Sequence, residues 1–76
     1  MSTARQRIAT MIGRNIAYHR NRLCWSGKVL AAKIGINNSR LNRWELGHVP
    51  VPAPDLVLIA ATLGVKVTEL LPADPS

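Results

Sequence analysis

Phenylalanine is absent from this sequence, and Trp25, Trp44 and Tyr18 are its only aromatic residues. Any core it builds is therefore mainly aliphatic. There is a single cysteine, Cys24, which excludes an intrachain disulfide and fits a reducing compartment. With His19 and His48 it supplies too few ligands, at the wrong spacings, for a zinc framework. No metal or other cofactor is expected. Acids are scarce, four against ten Lys and Arg, and they are scattered, so no catalytic constellation forms and the chain is not expected to be an enzyme. The longest uninterrupted apolar run is residues 56–61, far short of the ~18 needed to cross a bilayer. The N-terminus lacks the charged-then-apolar pattern of a signal peptide. A cytoplasmic protein with no membrane partner is expected.

What is present is a chain long enough for one domain, 1–76. A chain this short buries only about 60% of its unfolded surface. Hydrophobic residues make up 47% of it, enough for a small core without a metal. The net charge is +6, and it is unevenly spread. Residues 1–48 carry nine basic residues against one acid, Glu45, whereas residues 49–76 carry Lys66 against Asp55, Glu69 and Asp74. A basic field concentrated on one part of a small domain attracts polyanions. On charge alone, nucleic acid is the better partner, an anionic membrane stays open, and the plain alternative is a solubilising basic surface with no partner.

Turn residues cut the chain into five short helices with no sheet. Ser2 and Thr3 are cap residues ahead of Ile8, Met11, Ile12, Ile16 and Leu23. Ile8, Ile12 and Ile16 share one helical face. Gly13 lies within that helix and weakens it by about 1 kcal/mol relative to Ala, a cost that close packing would explain. This helix is expected to end near Arg22. Ser26 caps a second helix with Val29, Leu30, Lys33 and Ile34, stopped by Gly35. Asn37 caps a third, 38–46, with Leu41 and Trp44 inward and Gly47 at its end. Prolines interrupt 47–54, and Pro54 suits a helix start. Leu56, Ile59, Ala60 and Leu63 define a fourth helix closed by Gly64, and Thr68 caps a fifth over 68–71 before Pro72. The tail 73–76 is expected to fray. Cys24 and Trp25 are expected to pack together as apolar bulk.

Residues 26–47 carry the functional signal: a helix of about eight residues, a glycine turn and a helix of about nine, the helix-turn-helix arrangement. Ala31 has to be small where the second of these helices crosses it. Gly35 supplies the positive φ of the turn. Ile36 fills the angle between the helices. Leu41 and Trp44 anchor one face of 38–46 and leave the other free.

In Ile12-Gly13, Arg20, Ser26, Leu30-Ala31, Gly35-Ile36, Leu41, Trp44-Glu45, Gly47, Leu56, Ile59-Ala60, Leu63-Gly64-Val65 and Leu70-Leu71, the chain resembles the Cro/C1-type, lambda-repressor-like helix-turn-helix regulators (the XRE family). The likeness covers about residues 12–71. It implies a compact all-α, five-helix DNA-binding domain with its helix-turn-helix at about 26–46 and helix 38–46 in the major groove. It also implies an ion pair between Arg20 and Glu45. Gly27 departs from the pattern, which usually has a phosphate-contacting glutamine there. Only the backbone N–H remains to meet a phosphate at that position.

In this geometry Asn38, Ser39, Arg40, Asn42 and Arg43 are the candidate base readers. Arginine pairs bidentately with guanine and asparagine with adenine. Arg43 ranks first, and Arg40 reads a base or holds a phosphate. The plain alternative for each is a solvated helix residue. Candidate phosphate contacts are Ser26, the Gly27 backbone, Lys28, Lys33 and His48, with Arg14 or Asn15 joining from the first helix. Lys33 has a solubilising role as its alternative. Arg5 and Arg7 either form an arm touching the DNA backbone or decorate the first helical turn.

The expected activity is sequence-specific regulation of transcription, of the small phage Cro or repressor kind. The partner is double-stranded DNA with a palindromic or pseudo-palindromic operator. Paired recognition helices would enter successive major grooves about 34 Å apart. That calls for a weak homodimer, or a monomer that dimerises on DNA, with 49–51 and 65–71 as the candidate interface; the plain alternative is that their apolar residues simply cap the core. Two alternatives stand beside this: an antitoxin of a toxin–antitoxin pair that autoregulates its operon, and a protein-interaction module that uses the same fold.

Overall fold

The computed structural model describes residues 3–73. The cap role expected of Ser2 and the fraying expected of residues 74–76 lie outside them. Helix α1 spans Ala4–Arg22, α2 Gly27–Ile34, α3 Asn38–Glu45 and α4 Ala53–Leu63. There is no strand among the described residues.

Local chemistry sets most of these boundaries. The Thr3 hydroxyl accepts the Gln6 N–H at 3.1 Å and starts α1. Ser26 does the same for Val29 at 3.2 Å, and Asn37 for Arg40 at 2.8 Å, each satisfying an amide that has no intrahelical acceptor. At the far end of α2, Gly35 adopts φ 77°. The Ile36 N–H then reaches back to the Ala31 carbonyl at 3.0 Å, a Schellman closure. Helix α4 begins after Pro52, with Pro54 in its first turn, where the missing N–H costs nothing.

The expected fifth helix is a single 3-10 turn, Val67–Glu69, so the described residues hold four α-helices rather than five. The physical reason is length and composition. Only residues 65–70 lie between Gly64 and Leu71, the β-branched Val67 and Thr68 fall at the turn itself, and Pro72 disfavours a helical Leu71 before it. One turn cannot repay helix nucleation. The turn is held instead by the Glu69 carboxylate, which accepts the Lys66 N–H at 2.8 Å.

The centre of the domain is aliphatic. Ile16 of α1, Leu30 of α2, Leu41 of α3, Ile59 of α4 and Leu70 beyond the final turn are all fully buried. Each of the four α-helices thus commits a fully buried large side chain to the same cluster, and Leu70 adds a fifth, each worth about 1.5–3 kcal/mol on burial. Ala31, Ile34, Trp44, Leu56, Ala60 and Leu63 complete it, with Ile12, Trp25, Ile36, Val51, Val65 and Val67 packed around it.

Three expectations are corrected at the periphery. Leu23 and Val29 are exposed, because the faces of α1 and α2 that meet the core run through Ile16 and through Leu30, Ala31 and Ile34. Cys24 does not pack with Trp25 as apolar bulk. It is exposed and adopts φ 59° in the turn between α1 and α2, while Trp25 leans on the core.

Gly13 explains how the site is positioned. A Cβ built there would collide with the Trp44 carbonyl oxygen and stand 2.6 Å from that of Glu45. Helices α1 and α3 therefore cross with backbone against backbone, and only glycine fits between them.

Candidate nucleic-acid interface

Helix α3 is gripped at its C-terminal end and displayed at its N-terminal end. The grip has three parts. Gly13 lets α1 press on the Trp44 and Glu45 carbonyls. Gly47, at φ 78° just past the helix, lies so close to α1 that a Cβ there would stand 2.6 Å from the Thr10 Cα. Arg20 of α1 holds the Glu45 carboxylate side-on with one edge of its guanidinium, Nε to Oε2 at 2.7 Å and Nη2 to Oε1 at 2.9 Å. The remaining Arg20 nitrogen, Nη1, donates to the Trp25 carbonyl at 2.7 Å and to Asn21 Oδ1 at 3.2 Å. One guanidinium thus ties α1, the turn before α2 and the end of α3 together. The hydrogen bond to Glu45 raises the Arg20 pKa against the opposing effect of burial.

Leu41 and Trp44 are the buried residues of α3. At about 100° per residue, the side opposite them carries Ser39, Asn42 and Arg43. Asn38 and Arg40 stand on the two flanks, and all five are exposed. The Asn38 flank faces the start of α2: a Cβ on Gly27 would stand 2.8 Å from Asn38 Oδ1. The Arg40 flank faces the other way. Arg40 and Arg43 line a cleft of about 220 Å³ with Val49, Pro50, Pro52 and Asp55. Leu46, to which the sequence reading gives no role, is 53% exposed and continues the outer face beyond Asn42. Its helical phase, read against Leu41 and Trp44, was the available signal.

The candidate phosphate contacts divide by location. Ser26, Gly27 and Lys28 stand together at the N-terminus of α2, beside Asn38. The first amides of that helix have no intrahelical acceptor, and the Ser26 hydroxyl, which accepts from Val29, keeps its own proton to donate. Lys33 lies in the last turn of α2, with its ammonium 4.8 Å from the Trp25 ring centroid. His48 is exposed beyond α3 and lines an apolar cavity of about 410 Å³ with Arg5, Gln6, Ile8, Pro50 and Val51. Arg14 is exposed on α1. Asn15 is already engaged: its Nδ2 donates to the Leu70 carbonyl at 3.0 Å and latches α1 to the C-terminal turn.

Two short helices joined by a glycine turn, the second clamped behind and polar in front, define a helix-turn-helix domain. The chain belongs to the HTH_3 helix-turn-helix family, whose model matches residues 16–70. No curated protein matches the sequence. Among solved structures it is similar to the hypothetical transcription factor NHTF from Neisseria, with TM-score 0.80, 23% identity, and coverage of 86% of this chain and 75% of that one. It is also similar to the restriction-modification controller protein C.AhdI from Aeromonas hydrophila, with TM-score 0.79, 22% identity, and coverage of 83% and 96%. A third, the clp gene regulator ClgR from C. glutamicum, gives TM-score 0.78, 18% identity, and coverage of 92% and 86%. At these identities the likeness establishes the fold.

Proposed function

We propose that this protein is a sequence-specific, double-stranded DNA-binding regulator of transcription that lays α3 in the major groove. The observation that carries the reading is the division of α3. Its apolar residues Leu41 and Trp44 are buried, and Asn38, Ser39, Arg40, Asn42 and Arg43 are all exposed. Those side chains suit base edges in the major groove. The basic excess of residues 1–48 suits the phosphates on either side. Ser26, Gly27 and Lys28 contact phosphate beside Asn38, with Lys33 and His48 as outer contacts. Membership of the helix-turn-helix family and the regulators among the structural neighbours support the same reading. Regulation of the small phage Cro or repressor kind, in the cytoplasm, on a palindromic operator bound by a weak dimer, is its specific form. No catalytic role is proposed.

A second reading, an antitoxin that also covers a toxin, draws on α4. That helix leaves Val57 and Leu58 exposed, and apolar residues exposed side by side suit a protein partner.

Selection of bound duplexes from a random pool, followed by titration at several salt concentrations, tests the proposal. The expected result is one enriched motif, with log affinity falling steeply and linearly against log salt. Enrichment of no motif, with binding indifferent to salt, would overturn it. A toxin that co-purifies stoichiometrically would favour the second reading.

A further inference from the structure

Gly27 and Asn38 are each the first residue of a helix, α2 and α3, and the two starts lie side by side. A Cβ on Gly27 would stand 2.8 Å from Asn38 Oδ1 and 3.9 Å from its Cγ, and apart from its chain neighbours and the backbone of α2 it would meet nothing else within 4 Å. The Asn38 carboxamide therefore fills the space over the Gly27 Cα. Any side chain at position 27 has to take that space from it.

We propose that Gly27 is a positioning residue for DNA reading: by lacking a side chain it sets where the Asn38 carboxamide stands, and so which base Asn38 accepts. The inference rests on the proposed DNA-binding function and deepens it. Asparagine recognises adenine with both ends of its amide, and such a pairing tolerates a displacement of only about 0.5 Å. A methyl group at position 27 pushes the amide further than that. The displacement costs the fold little. Asn38 is exposed, its carboxamide is the free end of a short side chain, and the first position of a helix accepts alanine. The effect of the substitution falls on recognition and leaves stability in place.

This role is distinct from the phosphate contact of the Gly27 backbone N–H, which Gly27→Ala keeps. A residue that only held phosphate would change affinity for every duplex alike. A residue that sets Asn38 changes preference at one base pair, and only while Asn38 is there to be set.

The test is a double-mutant cycle on a duplex selected by the wild-type protein and on its single-base-pair variants. The proteins are the wild type, Gly27→Ala, Asn38→Ala and the double variant. Urea unfolding of each verifies that stability is retained. Gly27→Ala is expected to lower discrimination at one base pair by roughly tenfold, the base pair whose preference Asn38→Ala also removes, within the range a bidentate contact supplies. In the Asn38→Ala background, adding Gly27→Ala is expected to change discrimination nowhere. The inference is overturned if Gly27→Ala leaves all preferences intact. It is equally overturned if Gly27→Ala weakens every duplex by the same factor, or keeps its effect without Asn38. Should the wild type select no sequence, the proposed function fails and this inference with it. Selection by the wild type with an unaltered Gly27→Ala profile removes this inference alone.

Discussion

The Arg20 guanidinium holds both carboxylate oxygens of Glu45, at 2.7 and 2.9 Å, with side-chain exposures of only 15% and 11%. This contact fixes the end of α3 to the longest helix of the domain. Removing either partner strands the other in a largely dry site. Arg20→Met or Glu45→Gln is expected to cost about 1.5–3 kcal/mol in urea unfolding. The double variant should cost clearly less than the two single losses together, since one interaction is being removed twice. Simple additivity would mean the two charges act independently. The raised Arg20 pKa contributes stability below the unfolded value and loses it only as pH climbs through the folded one. Titration of this arginine therefore leaves the pair intact at every pH below the ordinary arginine range.

Gly13→Ala pits helix propensity against packing. Alanine favours α1 by about 1 kcal/mol, but its Cβ meets the Trp44 and Glu45 carbonyls, which are backbone and cannot rotate away. Packing is expected to win, with a net loss of about 1–3 kcal/mol and altered amide shifts in α3. A stabilised variant would show that α1 and α3 separate freely.

Cys24 occupies a left-handed conformation at φ 59°, where its turn closes with the Trp25 N–H on the Arg20 carbonyl at 3.3 Å. The same closure after α2 uses Gly35. Cys24→Gly is expected to raise stability by about 0.5–1 kcal/mol, the strain relieved less the extra entropy of glycine when unfolded. Thermal unfolding reads this directly as a higher midpoint.

Asn15→Ala is expected to cost about 1–2 kcal/mol, because the part-buried Leu70 carbonyl loses its side-chain donor. Hydrogen exchange should quicken at Glu69 and Leu70, whose amides bond within the turn, before it does in α2 or α3.

Most of the fold is written in local signals. Thr3, Ser26 and Asn37 are cap residues whose own side chains make the starting bonds, and Gly35 and Gly64 end helices by a backbone property that glycine alone supplies cheaply. Those effects act over a few residues, so the sequence displays them. The α1–α3 crossing at Gly13 was legible as a cost in want of a reason, and the Arg20–Glu45 contact through family resemblance. Other features needed the third dimension. Leu23 and Val29 satisfy helical spacing yet face outward, because spacing alone leaves a helix's rotation against its neighbours open. Asn15 resembles a surface donor until the C-terminal turn brings Leu70 to it. The final helix shrank to a 3-10 turn because Pro72 and two β-branched residues outweigh its leucines. In the candidate site, the outward set of α3 followed from the inward placement of Leu41 and Trp44. The contact between Gly27 and Asn38 did not, since it depends on how the starts of two helices sit side by side.

The central claim is that the exposed face of α3 reads bases, with Arg43 foremost. It is tested most directly by comparing Arg43→Ala with the wild type on a selected duplex and on each of its single-base-pair variants. Loss of about 1–3 kcal/mol of discrimination at a single base pair, with preferences elsewhere retained, is the predicted result. An Arg43→Ala protein that folds, binds and discriminates every position as the wild type does would contradict the account.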